Sequence, residues 1–281
     1  MNSTLKIASS VLALGLLSAP AQAVLINEWS YSVVSEFTAA SFDAAGVQNG
    51  IFDGGQTIRW GTPHTSGNGQ QSSLVISGTG APAAANEAQG SVDTYFGVTP
   101  PNAAPYVGVS TTLTHNNNII NSGSGSLTEA TLTNYVTLTP IDPAVPATAN
   151  QIVPFQIRFK ETTNTETSGA CGFPSSTVPC DDIFVLTGGL LNFSFDFGGT
   201  LYYVNIFPII GGVLSELDPL SCAAAGVGAG CIGFQTVEGQ STALTFGFTL
   251  STRPLQVPEP GVLALLGIGL VGLGALRRRR A

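Results

Sequence analysis

The sequence is poor in charged residues, above all in basic ones. Charged side chains make up 9% of its 281 residues, against roughly 25% in an average soluble domain. With 34 glycines and 17 prolines, this composition argues against long charged helices, coiled coils and helical repeats. Nine Lys and Arg face seventeen Asp and Glu, for a net charge of −8. That balance argues against a nucleic-acid partner, because phosphates are neutralised by clustered basic side chains.

Histidine is equally scarce, with His64 and His115 as its two occurrences. A Ser-His-Asp triad would need one of them as its base, and the sequence contains neither a G-x-S-x-G turn nor an H-E-x-x-H motif. Paired carboxylates could support glycosidase chemistry, but the neighbours Asp181 and Asp182 would point to opposite faces of a strand. We therefore predict a non-enzymatic protein without catalytic residues. A glycan-active hydrolase or lyase is the alternative.

The first 23 residues have the pattern of a secretory signal peptide. Lys6 precedes an apolar run over Ile7–Leu17, and Ala21 and Ala23 form a small-x-small cleavage site. We expect the Sec translocon to export the chain and signal peptidase to cut after Ala23, removing residues 1–23.

A second targeting segment occupies residues 257–281. It begins with Val257, Pro258, Glu259 and Pro260, continues through an apolar stretch over Gly261–Leu276, and ends with Arg277, Arg278, Arg279 and Arg280. A helix over the apolar stretch would be roughly 24 Å long, which is shorter than the hydrocarbon core of a membrane at roughly 30 Å. The arginines can cover the difference, because their long side chains extend from the helix end to the membrane surface. This predicts a transmembrane helix with its basic end in the cytoplasm and the preceding chain in the periplasm.

The tripeptide, the glycine-rich span and the basic end, in that order, resemble the PEP-CTERM sorting signal of Gram-negative, exopolysaccharide-producing bacteria. The resemblance implies an exosortase as partner, a membrane transpeptidase-like enzyme that cuts near the tripeptide and releases or re-attaches the body outside the cell. Thr114-His115-x-Asn117 further resembles the T-H-x-N-motif group of PEP-CTERM proteins. Companion segments look similar over Arg59–Pro63, Phe159–Thr162 and Cys180–Phe184. This second resemblance implies no activity.

Between the two targeting segments, residues 24–256 predict one exported all-β domain. Apolar and polar residues alternate repeatedly, as in Leu191–Phe197, which is followed by a Gly198-Gly199 turn and a partner strand over Leu201–Phe207. Frequent strands separated by Gly, Pro and Asn turns predict a single antiparallel β-sandwich, jelly-roll-like or immunoglobulin-like. A signal helix and a transmembrane helix would flank it.

The four cysteines predict disulfides, because their number is even and the chain carries an export signal. Cys171 and Cys180 enclose a short loop, and Cys222 and Cys231 enclose another of the same length. Local pairing would close both loops, but three connectivities remain open. A zinc site is the rival interpretation, although zinc fingers use closer C-x-x-C spacing.

The residues that could contact a ligand are few. Thr114, His115 and Asn117 follow a predicted strand, and they form either a polar turn or a hydrogen-bonding cluster for a sugar. Trp60 is a candidate for stacking on a sugar ring.

We assign no cofactor and no metal ligands. Calcium is an alternative because the body carries sixteen acidic and four basic side chains; oxygen ligands would come from Asp53 and from Asp181 and Asp182, but no D-x-D-x-D-G loop is present.

These features predict an exported, exosortase-processed surface or extracellular-matrix protein that is non-catalytic and associated with exopolysaccharide. Its precursor would span the inner membrane with a periplasmic body and a cytoplasmic C-terminus. The mature form would lie at the cell surface or in the matrix. Besides the glycan-active enzyme, the alternative is a structural surface protein that self-associates through edge strands.

Overall fold

A computed structural model describes residues 23–45, 48–79, 84–162, 171–174, 180–188, 191–209 and 214–256. Strands dominate these residues, which confirms the predicted all-β class. The helical segments described are a single 3₁₀ turn, Asp53–Gly55, and one short helix, α1 (Pro219–Ala224). The strands are β1 (Glu28–Phe42), β2 (Gly50–Phe52), β3 (Thr57–Trp60), β4 (Ser72–Ser77), β5 (Glu87–Tyr95), β6 (Gly108–Asn116), β7 (Leu127–Asp142), β8 (Ala149–Lys160), β9 (Asp182–Gly188), β10 (Phe193–Phe197), β11 (Thr200–Pro208), β12 (Ser215–Glu216), β13 (Ile232–Thr236) and β14 (Ser241–Ser251).

The strands pair into one mixed sheet with the order β12-β13-β9-β8-β7-β1-β5-β14-β6-β4-β3-β2, and β11 and β10 branch from β14. The pairing among the described strands is antiparallel, as predicted, except between β5 and β14. Those two strands run parallel over a two-residue contact, Thr94 with Leu250 and Tyr95 with Ser251. This short contact connects two otherwise antiparallel sets of strands.

The two sets of strands pack face to face, as in a sandwich. Phe155 on β8 lies 5.4 Å, between ring centroids, from Phe246 on β14, although the two strands are far apart in the sheet order. Trp29 on β1 and Tyr202 on β11 make an edge-to-face contact at 5.2 Å. The interior between the two layers is therefore the hydrophobic core.

Alternation along the strands explains how this core forms. On β8, Val153, Phe155, Ile157 and Phe159 are buried, while the residues between them are exposed or half-buried. Burying each such side chain contributes roughly 1.5–3 kcal/mol.

The predicted hairpin is also confirmed. β10 pairs with β11, and the last pair before the turn is Phe197 with Thr200. Gly198 and Gly199 form the turn with φ of 61° and 80°, a region of backbone conformation that favours glycine.

The predicted signal helix and transmembrane helix lie at residues 1–22 and 257–281, outside the described residues. Within the described ranges, no helix has the length and apolarity needed to cross a membrane.

Candidate metal centre

Several strands end or begin at the same end of the sandwich. β3 ends at Trp60, β6 ends just after His115, and β8 ends one residue before Glu161, while β9 begins at Asp182. Because neighbouring antiparallel strands run in opposite directions, the ends of some meet the beginnings of others. The fold thus gathers polar residues from four distant segments at one place.

His115 lies in the interior at this end, with no exposed surface. Its ring stacks on Trp60, with centroids 5.9 Å apart and an interplanar angle of 13°, and meets the edge of Phe159 at 4.9 Å. Neither ring nitrogen has a hydrogen-bond partner in the part of the chain that the structure describes. Burial lowers the pKa of His115 to about 3, because the low-dielectric interior disfavours the charged imidazolium. The imidazole is therefore neutral and retains a free lone pair.

A cluster of three carboxyl groups lies next to this ring and reaches it through Asp182. Each of Glu161, Asp182 and Glu238 offers an oxygen within 4.8 Å of the others. The Asp182 Oδ2 atom lies 3.7 Å from Nε2 of His115, which is too far for a hydrogen bond. Glu161 and Asp182 are buried and Glu238 is half-buried, so Glu238 forms the outward side of the cluster.

Hydrogen bonds hold one oxygen of each buried carboxyl group. The indole N–H of Trp60 donates to Oε2 of Glu161 at 2.6 Å. The backbone N–H of Thr162 donates to Oδ1 of Asp182 at 2.8 Å, and the Thr162 hydroxyl oxygen lies 3.2 Å from the same atom. Within the described residues, Oε1 of Glu161, Oδ2 of Asp182 and the two oxygens of Glu238 accept no hydrogen bond of good geometry. The Glu161 and Asp182 carboxyl groups are close enough to share a proton, and the backbone N–H of Gly239 lies near Glu238.

Burial and mutual repulsion disfavour negative charge in this cluster. Burial raises the pKa of Glu161 to about 8 and that of Glu238 to about 7. The pKa of Asp182 lies well above its ordinary value because of burial and the neighbouring Glu161 charge. In the described part of the chain, the ion pairs of arginine lie elsewhere, between Arg59 and Asp53 and between Arg158 and Glu129. Among the described residues, the cluster therefore has no Lys or Arg partner, an arrangement that is costly unless protons or a cation bind there.

The T-H-x-N segment divides between the two faces of β6. His115 and Asn117 are buried, whereas Thr114 is half-buried and points away from them. The Asn117 side chain donates from Nδ2 to the carbonyl of Thr236 at 3.0 Å, and its backbone N–H donates to the carbonyl of Gln240 at 2.9 Å. Asn117 thereby holds the end of β6 against the turn between β13 and β14 that carries Glu238.

The other residues that were predicted to contact a ligand do not lie together on one surface. Trp60 is fully buried, with His115 and Phe159 packed against its ring, so it offers no face to a sugar. Asp53, an oxygen ligand in the calcium alternative, lies at the surface and pairs with Arg59 at 2.7 Å. The predicted sorting residues, Val257, Pro258, Glu259, Pro260 and Arg277 to Arg280, lie outside the described residues, as does Ala21; Ala23 is exposed at the start of the described chain.

Both disulfides are present with the local connectivity. Cys171 pairs with Cys180 and Cys222 with Cys231, which removes the alternative of a cysteine-bound zinc. Cys180 precedes Asp182 by two residues, and the Thr162 hydroxyl donates to the Cys180 carbonyl. The first disulfide thus anchors the start of β9, where the acidic cluster begins.

Two of the three carboxyl residues lie in segments that the sequence analysis names, but the sequence does not show that they come together. Glu161 and Asp182 lie in the segments that resemble the T-H-x-N group, and Asp182 also appeared as an oxygen ligand for calcium. Glu238 was missed. It is a single acid in the turn after β13, and its sequence neighbours give no sign that it faces two carboxyl groups from β8 and β9.

Comparison with known proteins identifies a sorting motif in the C-terminal segment. Residues 256–280 match the family model of the PEP-CTERM protein-sorting motif. No curated protein matches the chain. Membership of the T-H-x-N group stays a prediction. The chain carries a PEP-CTERM sorting motif, which marks it as an exported, exosortase-targeted protein with a membrane-anchored precursor.

Proposed function

We propose that this protein is a non-catalytic component of the cell surface or extracellular matrix that associates with exopolysaccharide. The sorting motif at residues 256–280 is the observation that carries the proposal. In this account, the Sec translocon exports the chain, signal peptidase removes residues 1–23, and the precursor holds its body in the periplasm and its arginines in the cytoplasm. Exosortase then separates the body from residues 257–281.

The burial of the acidic cluster supports a non-catalytic role. Glu161 and Asp182 are 8% and 1% exposed, and the rings of Trp60, His115 and Phe159 pack beside them. A glycosidase needs its two carboxyl groups on either side of a sugar ring. A buried cluster of this kind has no room for a sugar between its members.

A polar hollow on the surface supports the association with a polysaccharide. It has a volume of about 310 Å³ and lies beside β3 and β4. Amide, guanidinium and hydroxyl groups can donate and accept hydrogen bonds with sugar hydroxyls. The lining residues that provide such groups are Gln48, Arg59, Gln70, Gln71 and Ser73.

Co-sedimentation with the polysaccharide of the producing cells tests this proposal. We expect the secreted protein to be retained, and the double variant Arg59→Ala, Gln70→Ala to lose most of its retention. Arg253→Ala is the matched control, because Arg253 is an exposed arginine outside the hollow. Retention of the wild-type protein no better than that of an inert β-sandwich protein would refute the association. Equal retention of the double variant would refute the role of the hollow.

A further inference from the structure

The buried end of the sandwich contains several polar atoms without partners in one place. Among the described residues, these atoms are Nε2 of His115, Oε1 of Glu161, Oδ2 of Asp182 and both carboxyl oxygens of Glu238. Buried polar atoms are almost always hydrogen-bonded, so a group of such atoms that converge indicates a missing partner. The three carboxyl groups each offer an oxygen within 4.8 Å of the others, and His115 reaches this cluster through Asp182, whose Oδ2 lies 3.7 Å from Nε2.

We propose that Glu161, Asp182, Glu238 and His115 bind one divalent transition-metal ion of the Mn²⁺ or Zn²⁺ class. The inference goes beyond the proposed association with polysaccharide and does not depend on it. Its basis is the geometry of the four side chains and the buried, unpartnered imidazole that faces the acidic cluster.

A cation suits these atoms better than another hydrogen-bonding group does. The atoms are all lone-pair donors when the carboxyl groups are ionised and the imidazole is neutral. Without an ion, protons can compensate the carboxyl groups, but they leave the lone pair of the buried His115 imidazole without a partner among the described residues. Within the described ranges, no Lys or Arg side chain forms an ion pair with these carboxylates. A divalent cation would balance two of the three charges and bind the free lone pairs directly.

The spacing also fits an ion with short bonds. Two ligand atoms bound at about 2.1 Å in a tetrahedral site lie about 3.4 Å apart. The observed 3.7 Å between Nε2 of His115 and Oδ2 of Asp182 exceeds this by a few tenths of an ångström. Small side-chain movements would therefore close the site around an ion without a change in the strands.

The chemistry of the four side chains selects the class of ion. Imidazole nitrogen suits Zn²⁺ and related transition metals, whereas Ca²⁺ and Mg²⁺ favour oxygen ligands alone. Carboxylates in turn suit Mn²⁺, so one imidazole with three carboxylates favours Mn²⁺ or Zn²⁺. The hydrogen bonds from Trp60 to Glu161 and from Thr162 to Asp182 orient the ligands from outside, as in known metal sites.

The ion would have a structural role because its ligands come from separate elements. His115 belongs to β6, Glu161 follows β8, Asp182 begins β9 and Glu238 lies between β13 and β14. One ion would join these four segments, which include strands from both layers of the sandwich. Its binding energy would then add to the free energy of unfolding.

Metal analysis of the secreted protein tests the proposal. The protein is treated with a chelator, reloaded with Mn²⁺ or Zn²⁺, and measured for bound metal and thermal stability. We expect about one ion per chain and a higher Tm with the ion. Glu238→Gln should weaken binding at least tenfold, because Gln keeps the shape and removes the charge. Glu36→Gln is the matched control, since Glu36 is also a half-buried glutamate and lies outside the cluster.

The spectrum of bound Mn²⁺ tests the role of His115 in the wild-type protein, whether or not a variant folds. Pulsed electron paramagnetic resonance should detect one imidazole nitrogen coupled to the ion, and His115→Gln should remove that coupling. The absence of a stoichiometric ion, or equal binding by Glu238→Gln, would overturn the site. Binding of Ca²⁺ in preference to Mn²⁺ and Zn²⁺, without nitrogen coupling, would overturn the class of ion and the role of His115. Polysaccharide retention is measured separately, so its failure would leave this result intact.

Discussion

The environment of His115 is unusual for a side chain that can carry charge. The residue has no exposed surface, its ring packs against Trp60 and Phe159, and its nitrogens have no hydrogen-bond partner among the described residues. An unsatisfied polar group in the interior costs roughly 1–3 kcal/mol. Such a cost is common in sites that bind a ligand, because the ligand supplies the missing interaction. The same reasoning applies to the unpartnered oxygens of Glu161 and Asp182.

The metal-free protein should lose stability as the pH rises from 6.5 to 8. The folded-state pKa values of Glu161 and Glu238, about 8 and about 7, lie above the ordinary 4.5, so the folded state holds more protons in this range and its stability falls as they leave. Asp182 acts in the same direction. The lowered pKa of His115 has the opposite effect, but only below its ordinary value of 6.5.

Urea unfolding of the chelator-treated protein at several pH values measures this effect. We expect the midpoint to fall steadily between pH 6.5 and 8, and to fall less steeply in Glu238→Gln, which lacks one of the titrating groups. Glu36→Gln should behave like the wild-type protein. A midpoint that is constant or rises over this range would contradict the description of the cluster.

The two buried tryptophans allow the Trp60 hydrogen bond to be measured. The indole N–H of Trp60 donates to the Glu161 carboxyl group, whereas that of Trp29 donates to the hydroxyl of Thr94. Both side chains are fully buried, so replacement by Phe removes a similar volume in each case. A hydrogen bond to a charged group contributes about 1.5–3 kcal/mol and a neutral one about 0.5–1.5 kcal/mol. Glu161 is charged above its pKa of about 8, so the two bonds are compared above that pH.

We therefore expect Trp60→Phe to lower the free energy of unfolding by about 1 kcal/mol more than Trp29→Phe does. Chemical denaturation of the two variants in parallel gives the difference. If Trp29→Phe is equally or more destabilising, the carboxyl group of Glu161 does not depend on Trp60 for its position.

At the scale of elements, the first disulfide supports the end of the sandwich where the cluster lies. The bond between Cys171 and Cys180 closes a short loop directly before Asp182 and β9. The bond between Cys222 and Cys231 closes a loop of the same sequence separation between α1 and β13. Each should stabilise the fold by roughly 2.5–3 kcal/mol through the entropy of the unfolded chain.

Replacing each disulfide by a pair of serines separates stability from metal binding. Both double variants should lose a similar free energy of unfolding, because their loops have the same length. Cys171→Ser with Cys180→Ser should weaken Mn²⁺ binding more than Cys222→Ser with Cys231→Ser, because Cys180 is close in sequence to Asp182. Isothermal titration of the folded variants compares the affinities, and an equal loss in both would show that the first loop does not position Asp182.

Local patterns explain why so much of the fold could be predicted. The alternation in β8 and the double glycine between β10 and β11 are short-range signals that act through strand geometry. The parallel contact between β5 and β14 lacks such a signal, since it joins Thr94 to Leu250 across much of the chain. The acidic cluster is hidden for the same reason: its members are brought together by the ends of strands, and Glu238 stands alone in its turn.

At the scale of the whole molecule, the composition agrees with a protein exposed outside the cytoplasm. Disulfides persist in oxidising compartments, and the sorting motif directs the chain there. The body combines few charges with polar strand surfaces and a core that extends between both layers. The two disulfides cross-link a domain that functions outside the cytoplasm, and a metal ion would add a further cross-link.

The central claim is that the protein acts as an exported, processed body that carries a bound metal ion. Native mass spectrometry of the protein recovered outside the producing cells tests it most directly. We predict a mass for residues from about 24 to about 257 that is about 4 Da light for the two disulfides, plus one Mn²⁺ or Zn²⁺ ion that is lost on denaturation. A mass that still includes residues 261–281, or that is identical under native and denaturing conditions, would contradict the account.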